Sequence, residues 1–463
     1  MKIKNYTSHG LTIDRFEAIP GQAWCILGSN RSGIDAFVEL FSKGKPAEPD
    51  QHPRHIQYPE NFGIFSFESQ QTLFEQELKK DETDFMDRID PGTPARRFLK
   101  SPEAHMDLIR ALAMDRVLDQ GYRQLSTGQS RKLLLLAQIT RGKQCLIIQA
   151  PYEGLDAAGC KELDKALSRC HDSGIQLIVT VHNPGDIPFW ATHVGVLDQG
   201  AMVLSGNKDE VVKKLDRIPE TADFKASVLD LGIKPQPDRE GRELIRLKNG
   251  TAGYQGKTVF KGVDLAVNRG DHTLVTGPNG SGKSTLLHLI TGDHPACYQN
   301  ELKLFGIKRG TGESIWDLKR KMGIVSPDLH RNYIVPGSTL DCVLSGLFDS
   351  IGLYTAPSPE DRSRGTAWLE RIGLGPDAGT PFRSLSYADQ RLVLIARSLI
   401  KLPDLLILDE PTQGLDRANR EAVLDFLEQV AEEQLSTILY VSHRQDEFRK
   451  FFVSNLDMSI AGG

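Results

Sequence analysis

Short apolar runs closed by turn residues recur along the chain: Ala23-Trp-Cys-Ile-Leu27, Cys145-Leu-Ile-Ile148, Ile175-Gln-Leu-Ile-Val-Thr-Val181, Thr273-Leu-Val-Thr276, Leu405-Leu-Ile-Leu408 and Thr437-Ile-Leu-Tyr-Val441. They are nearly continuous, as strands covered on both faces are. Between them lie helical stretches, among them Arg131–Gln138, Leu286–Ile290 and Arg391–Arg397. Strands alternating with helices predict an α/β fold around a largely parallel sheet.

The pattern occurs twice. Gly277-Pro-Asn-Gly-Ser-Gly-Lys-Ser-Thr285, between a predicted strand and a predicted helix, fits the phosphate-loop spacing. Gly277, Gly280 and Gly282 let the backbone curl so that amides point at phosphate oxygens. The helix behind adds its positive end. Lys283 would reach the outer phosphates, and the Ser284 hydroxyl would ligate Mg²⁺. Gly28-Ser-Asn-Arg-Ser-Gly-Ile-Asp35 repeats this loop in outline, with Ile34 in the Lys position and Asp35 in the hydroxyl position; Arg31 matches Gly280. Further on, Leu125-Ser-Thr-Gly-Gln129 is matched by Leu385-Ser-Tyr-Ala-Asp-Gln390. Cys145–Pro151 is matched by Leu405–Pro411, Gly154-Leu-Asp156 by Gly414-Leu-Asp416, and His182 by His443. The register between copies moves from 249 residues (28 to 277) to 260 (125 to 385), so copy two carries about eleven extra residues between loop and signature. A duplicated domain is the expectation: copy one at 1–215, a linker at 216–242 rich in Pro and Gly, and copy two at 243–463.

Composition narrows the class. With 463 residues, 39% apolar and 25% charged, the chain reads as globular and multidomain. A net charge of −5 carries no general attraction to nucleic acid or anionic lipid. No apolar run reaches the roughly 18–20 residues of a membrane helix. The opening Met1-Lys-Ile-Lys-Asn5 does not read as a secretory signal. The six cysteines are scattered, as expected of core residues in a reducing cytoplasm.

Loop, LSxGQ signature, Asp-Glu strand end, Gly-Leu-Asp turn and strand-terminal His, in that order, resemble an ABC-type ATPase in two tandem copies. The resemblance implies for each copy a P-loop NTPase domain with a RecA-like core, a small antiparallel subdomain and a helical subdomain. It also implies ATP and Mg²⁺ as cofactors, bound between the loop of one copy and the signature of the other. One such composite site would combine Gly277, Pro278, Asn279, Gly280, Ser281, Gly282, Lys283, Ser284 and Thr285 with Ser126, Thr127, Gly128 and Gln129 of copy one. There Asp409 would join Ser284 on Mg²⁺ and Glu410 would polarise the attacking water. His443 would hold that water's geometry, Asp156 would position Glu410 or the water, and Tyr254 would stack on adenine. The opposite site would use Ile34, Gln149, Ala150, Tyr387, Ala388 and Asp389, each a departure from the pattern, and is expected to be inert. A further departure is Pro327, where the family usually has a Gln; Ser326 or Asp328 are the candidate substitutes, and Gln70 or Gln71 stand near the matching place in copy one.

Within the tandem ABC proteins, Ser126-Thr-Gly-Gln-Ser-Arg-Lys132, Thr291-Gly-Asp-His-Pro295, Leu304-Phe-Gly306, Arg309–Glu313 with Ile315-Trp-Asp317, and Leu344–Ser350 resemble the ModF/PhrA group of molybdenum-transport or photorepair ATPases. That likeness implies a cytoplasmic subunit, monomeric because it carries both copies. Its partner would be a separate transmembrane permease at the cytoplasmic face of the inner membrane, carrying molybdate or a related oxyanion. The alternatives are a soluble ABC ATPase acting on the ribosome or nucleic acid, and a regulatory protein gated by ATP.

Overall fold

The computed structural model describes residues 1–8, 10–29, 32–42, 56–81, 90–215, 242–254 and 257–459. Arg31 and, except for Arg242, the expected linker lie outside them. The chain divides into two compact units.

In the first unit, strands β1 (Lys2–Ser8), β2 (Leu11–Glu17), β3 (Trp24–Gly28), β4 (Ile56–Gln57), β5 (Phe62–Phe65), β6 (Cys145–Gln149), β7 (Gln176–Val181), β8 (His193–Asp198) and β9 (Ala201–Asn207) form one sheet. Their order is β4-β1-β2-β9-β8-β3-β7-β6-β5. β3, β5, β6, β7 and β8 run parallel, and β1, β2 and β4 pair antiparallel beside them. Every residue of β3, β6 and β7 is buried, which is why these strands read as unbroken apolar runs. The flanking helices used below are α1 (Ile34–Ser42), α2 (Phe67–Leu78), α3 (Thr127–Thr140) and α4 (Ala157–Asp172).

In the second unit the antiparallel and parallel parts are separate sheets. β10 (Glu243–Tyr254), β11 (Lys257–Asn268), β13 (Glu301–Leu304) and β14 (Ile307–Lys308) form the first, in the order β11-β10-β13-β14. β12 (Thr273–Thr276), β15 (Met322–Val325), β16 (Leu405–Asp409), β17 (Thr437–Val441) and β18 (Ser454–Asp457) form the second, in the order β15-β16-β17-β12-β18. This parallel core matches β5-β6-β7-β3-β8 of the first unit strand for strand. Helix α5 (Lys283–Thr291) follows the loop, and α6 (Pro327–Asn332) follows β15. The helical part contains α7 (Thr339–Ser345), α8 (Pro359–Arg371) and α9 (Tyr387–Leu399); α10 (Arg417–Glu432) meets α8 through the Phe426–Trp368 ring pair. The antiparallel strands, the parallel core and the helical part are those of an ABC-type P-loop NTPase domain.

Strand order positions the chemistry. β16, β17 and β12 are parallel neighbours. The ends carrying Asp409, His443 and the glycine loop therefore lie side by side, in the crevice where open α/β sheets place ligands.

Candidate functional site

The glycine loop joins β12 to α5. Gly277, Gly280 and Gly282 have φ of +142°, +83° and +93°, all in the region that disfavours a side chain. At Gly277 an added Cβ would come within 2.7 Å of Ser281 Oγ, whereas at Gly280 it would meet open space. Gly277 thus serves the loop's own packing, and Gly280 leaves backbone open to whatever the loop cradles. Lys283 is buried and folds over the loop, its Nζ donating to the carbonyls of Gly277 at 2.8 Å and Pro278 at 3.0 Å. Its reach across the loop matches the role of a cation above a phosphate chain.

At the second residue of the helix, Ser284 Oγ donates to Asp409 Oδ2 at 3.0 Å. Burial, then the charge of adjacent Glu410, pushes the Asp409 carboxyl up to about 7. A hydroxyl and a carboxylate are the hard oxygen donors Mg²⁺ takes, and a divalent cation there would offset the repulsion between the two carboxylates. The residues present fit that ion.

Glu410 follows the strand end in a left-handed conformation, φ +46°. Its Oε1 lies 2.8 Å from His443 Nδ1. Burial raises the Glu410 carboxyl, but the hydrogen bond and charge of His443, with Lys283 beyond, leave it below its ordinary value. Burial depresses His443, and the bond to Glu410 more than reverses this. The His443 contact positions Glu410 and keeps it a carboxylate, the form that can take a proton from water, at some cost in basicity.

The Pro327 departure has a local cause. Pro327 occupies the first position of α6, where its missing N–H costs nothing. Ser326 caps that helix, its Oγ accepting from Leu329 N at 3.1 Å. Ser326 Oγ is thus committed to the cap. Asp328 faces His288, 3.8 Å away on α5, and pairs with Arg331. In the first unit Gln70 is buried on α2, and Gln71 donates to Glu75 at 3.0 Å. Tyr254 ends β10 half exposed, edge-on to His294 at 4.8 Å between ring centroids.

The first unit carries the other residues singled out from the sequence. Ser126 caps α3 in a reciprocal box with Gln129: Gln129 N donates to Ser126 Oγ at 3.2 Å, and Ser126 N to Gln129 Oε1 at 3.0 Å. Thr127 and Gly128 form the helix's first turn. At Gly128 a Cβ would press on Leu155 at 3.0 Å. Asp156 caps α4 through Gly159 N at 2.8 Å.

Two features of the structure were not assigned from the sequence. Gln149 Nε2 donates to Asp35 Oδ1 at 2.8 Å, so the first unit replaces the hydroxyl–carboxylate pair with a carboxylate–amide pair in the same place. Without a glutamate opposite, His182 Nδ1 lies 3.1 Å from Gly28 O. The second feature is a buried arginine at matching positions, Arg131 and Arg391. Its repetition at the head of both helical runs was the available sign.

Loop, paired strand-end carboxylates and histidine on this sheet define a P-loop NTPase of ABC type. The family model described as "ABC transporter" matches residues 260–413. The ABC transporter ATP-binding protein ModF of Escherichia coli (strain K12) is 34% identical over 96% of this chain and 92% of its own. An uncharacterized ABC transporter ATP-binding protein of Schizosaccharomyces pombe is 27% identical over 93% of this chain and 91% of its own. The chain belongs to the tandem ABC ATP-binding proteins, the family that contains ModF. Among solved structures, the archaeal ribosome recycling factor aABCE1, in complex with ribosomal stalk protein aP1, matches with a TM-score of 0.54 and 17% identity. The match covers 98% of this chain and 86% of that one, a likeness of fold alone.

Proposed function

We propose that the chain hydrolyses ATP with Mg²⁺ at one composite site and uses the cycle to drive a separate membrane permease. In this reading Lys283 and the loop amides offset charge on the transferring phosphoryl group, and Ser284 and Asp409 would hold a Mg²⁺ ion whose charge would add to that effect. Glu410 takes the proton of the attacking water, and His443 holds the carboxylate and the water in line. Ser126 and the amides of Thr127 and Gly128 cap the outer phosphate from the first copy. Asp156 positions the water, and Tyr254 stacks on adenine.

The observation that carries the reading is Glu410 held 2.8 Å from His443, beside a buried Lys283 and the Ser284–Asp409 pair. A permease partner is supported by the relatives' description as transporter ATP-binding proteins. Among the described residues no helix is long and apolar enough to cross a membrane, so the spanning part would be another chain. Molybdate follows from the likeness to ModF, and the paired copies make a monomer sufficient.

Glu410→Gln tests the chemistry. We expect turnover to fall by about a hundredfold or more with ATP binding kept, the range for losing a general base. Near wild-type turnover would remove Glu410 from its role. Affinity capture of the Glu410→Gln protein with ATP, from membrane and ribosome fractions side by side, tests the partner. A co-purifying permease is the expected result; ribosomes or nucleic acid would replace the transport reading.

A further inference from the structure

The aim of the Glu410 carboxylate depends on a backbone that does not support itself. A left-handed L-residue is strained, and its neighbours must hold it there. Glu410 N donates to Val441 O at 3.1 Å, which fixes one side of the residue. On the other side its carbonyl accepts from Arg391 Nη2 at 2.8 Å. Arg391 Nη1 donates to Ser326 O at 3.3 Å. The arginine is wholly buried and springs from α9, the helix behind the Leu385–Gln390 segment. One guanidinium therefore ties the ends of β15 and β16 to the helical part of the unit. A rigid planar fork can serve two carbonyls at once, which an ammonium does less well.

The first unit shows what this clamp does without chemistry. There Arg131 Nη2 donates to the carbonyls of Ala150 at 2.5 Å and Gln149 at 3.3 Å, and Ala150 has φ +45°. Kink and clamp persist where position 150 has no carboxylate to aim. The clamp belongs to the fold, and in the second unit the residue it holds is the one that carries the reacting group.

We propose that Arg391 is the positioning residue for Glu410, holding the backbone from which the carboxylate meets His443. This rests on the reading of Glu410 as base. The test compares Arg391→Lys and Arg391→Gln with Arg397→Lys. Arg397 is a buried arginine of the same helix that donates to Ser345 Oγ and Ser350 O, both at 3.0 Å, away from the site. Misaimed reacting groups cost rate rather than binding, so kcat should fall about tenfold or more in both Arg391 variants, with KM for ATP within about twofold. Arg397→Lys should lower Tm comparably and keep kcat within about twofold. The proposal is overturned if kcat is unchanged in the Arg391 variants, if Arg397→Lys loses as much, or if neither Arg391 variant folds. Glu410→Gln is measured in the same series. Turnover surviving there sinks the base and the clamp together; turnover lost there but kept in the Arg391 variants sinks the clamp alone.

Discussion

At Gly28 and at Gly277 an added Cβ would strike the hydroxyl of the serine four residues on, Ser32 at 2.3 Å and Ser281 at 2.7 Å. Gly33 and Gly282 share φ of +97° and +93°, and Ala150 and Glu410 share +45° and +46°. The two units therefore share these backbone conformations, one order of parallel strands and one arginine clamp. What differs is charge. Lys283 is matched by Ile34, and Ser284 donating to Asp409 by Asp35 accepting from Gln149. Glu410 on His443 is matched by Ala150, with His182 turned to Gly28 O. The lesson is that packing preserves the frame of such a site independently of its chemistry.

Truncating the side chain at the Lys position of each loop in turn should give the largest contrast. Lys283→Ala is expected to lower ATP binding and turnover by about a hundredfold or more, while Ile34→Ala leaves both within about twofold, as steady-state hydrolysis with bound-nucleotide measurements will show. Giving the first unit the second unit's polar set, with Ile34→Lys, Asp35→Ser and Gln149→Asp together, should add a second bound Mg·ATP per chain by equilibrium dialysis. One nucleotide per chain would mean that more than these three side chains separates the units.

A smaller effect concerns His330, which lies 2.9 Å from Gln390 Oε1. Burial, then the neighbouring charge of Arg391, drives its imidazole from 6.5 down to about 3. The unfolded chain takes up this proton near 6.5 and the folded chain does not until about 3. Stability is therefore present above 6.5 and falls as pH drops from there toward 3, by about 1.4 kcal/mol per pH unit. The matching residue of the first unit is the buried, non-titrating Gln70. His330→Gln should flatten the acid limb of denaturant-derived stability, and an unchanged limb would assign the slope to other groups. The smallest effect is expected at Asp35→Ala. Loss of its bond to Gln149 should cost about 1–2 kcal/mol of stability by denaturant unfolding, with turnover unmoved.

Much of this was legible in the sequence because it is local. Thr273–Thr276 and the helix after Lys283 sit where the apolar pattern predicts them, and the loop glycines sit at the spacing their conformations require. Gln149 and Ala150 stand out because the repeat sets them against Asp409 and Glu410. The bond from Gln149 to Asp35, 114 residues away, was not legible, since the end of β6 and the start of α1 are brought together only by the sheet order, with β7 between β6 and β3. The same holds for Arg391, whose carbonyl partners lie on two separate strand ends. Pro327 read as a missing glutamine; its structural role, the first position of a capped helix, emerged only with the fold.

The central claim is that ATP held by the second unit's loop is hydrolysed only when the first unit's Ser126–Gln129 segment caps it. Its most direct measurement is the steady-state ATPase rate of Ser126→Arg, with Tm and ATP binding recorded alongside. The account predicts turnover lowered about tenfold or more in a folded protein that still binds ATP; turnover equal to wild type would contradict it.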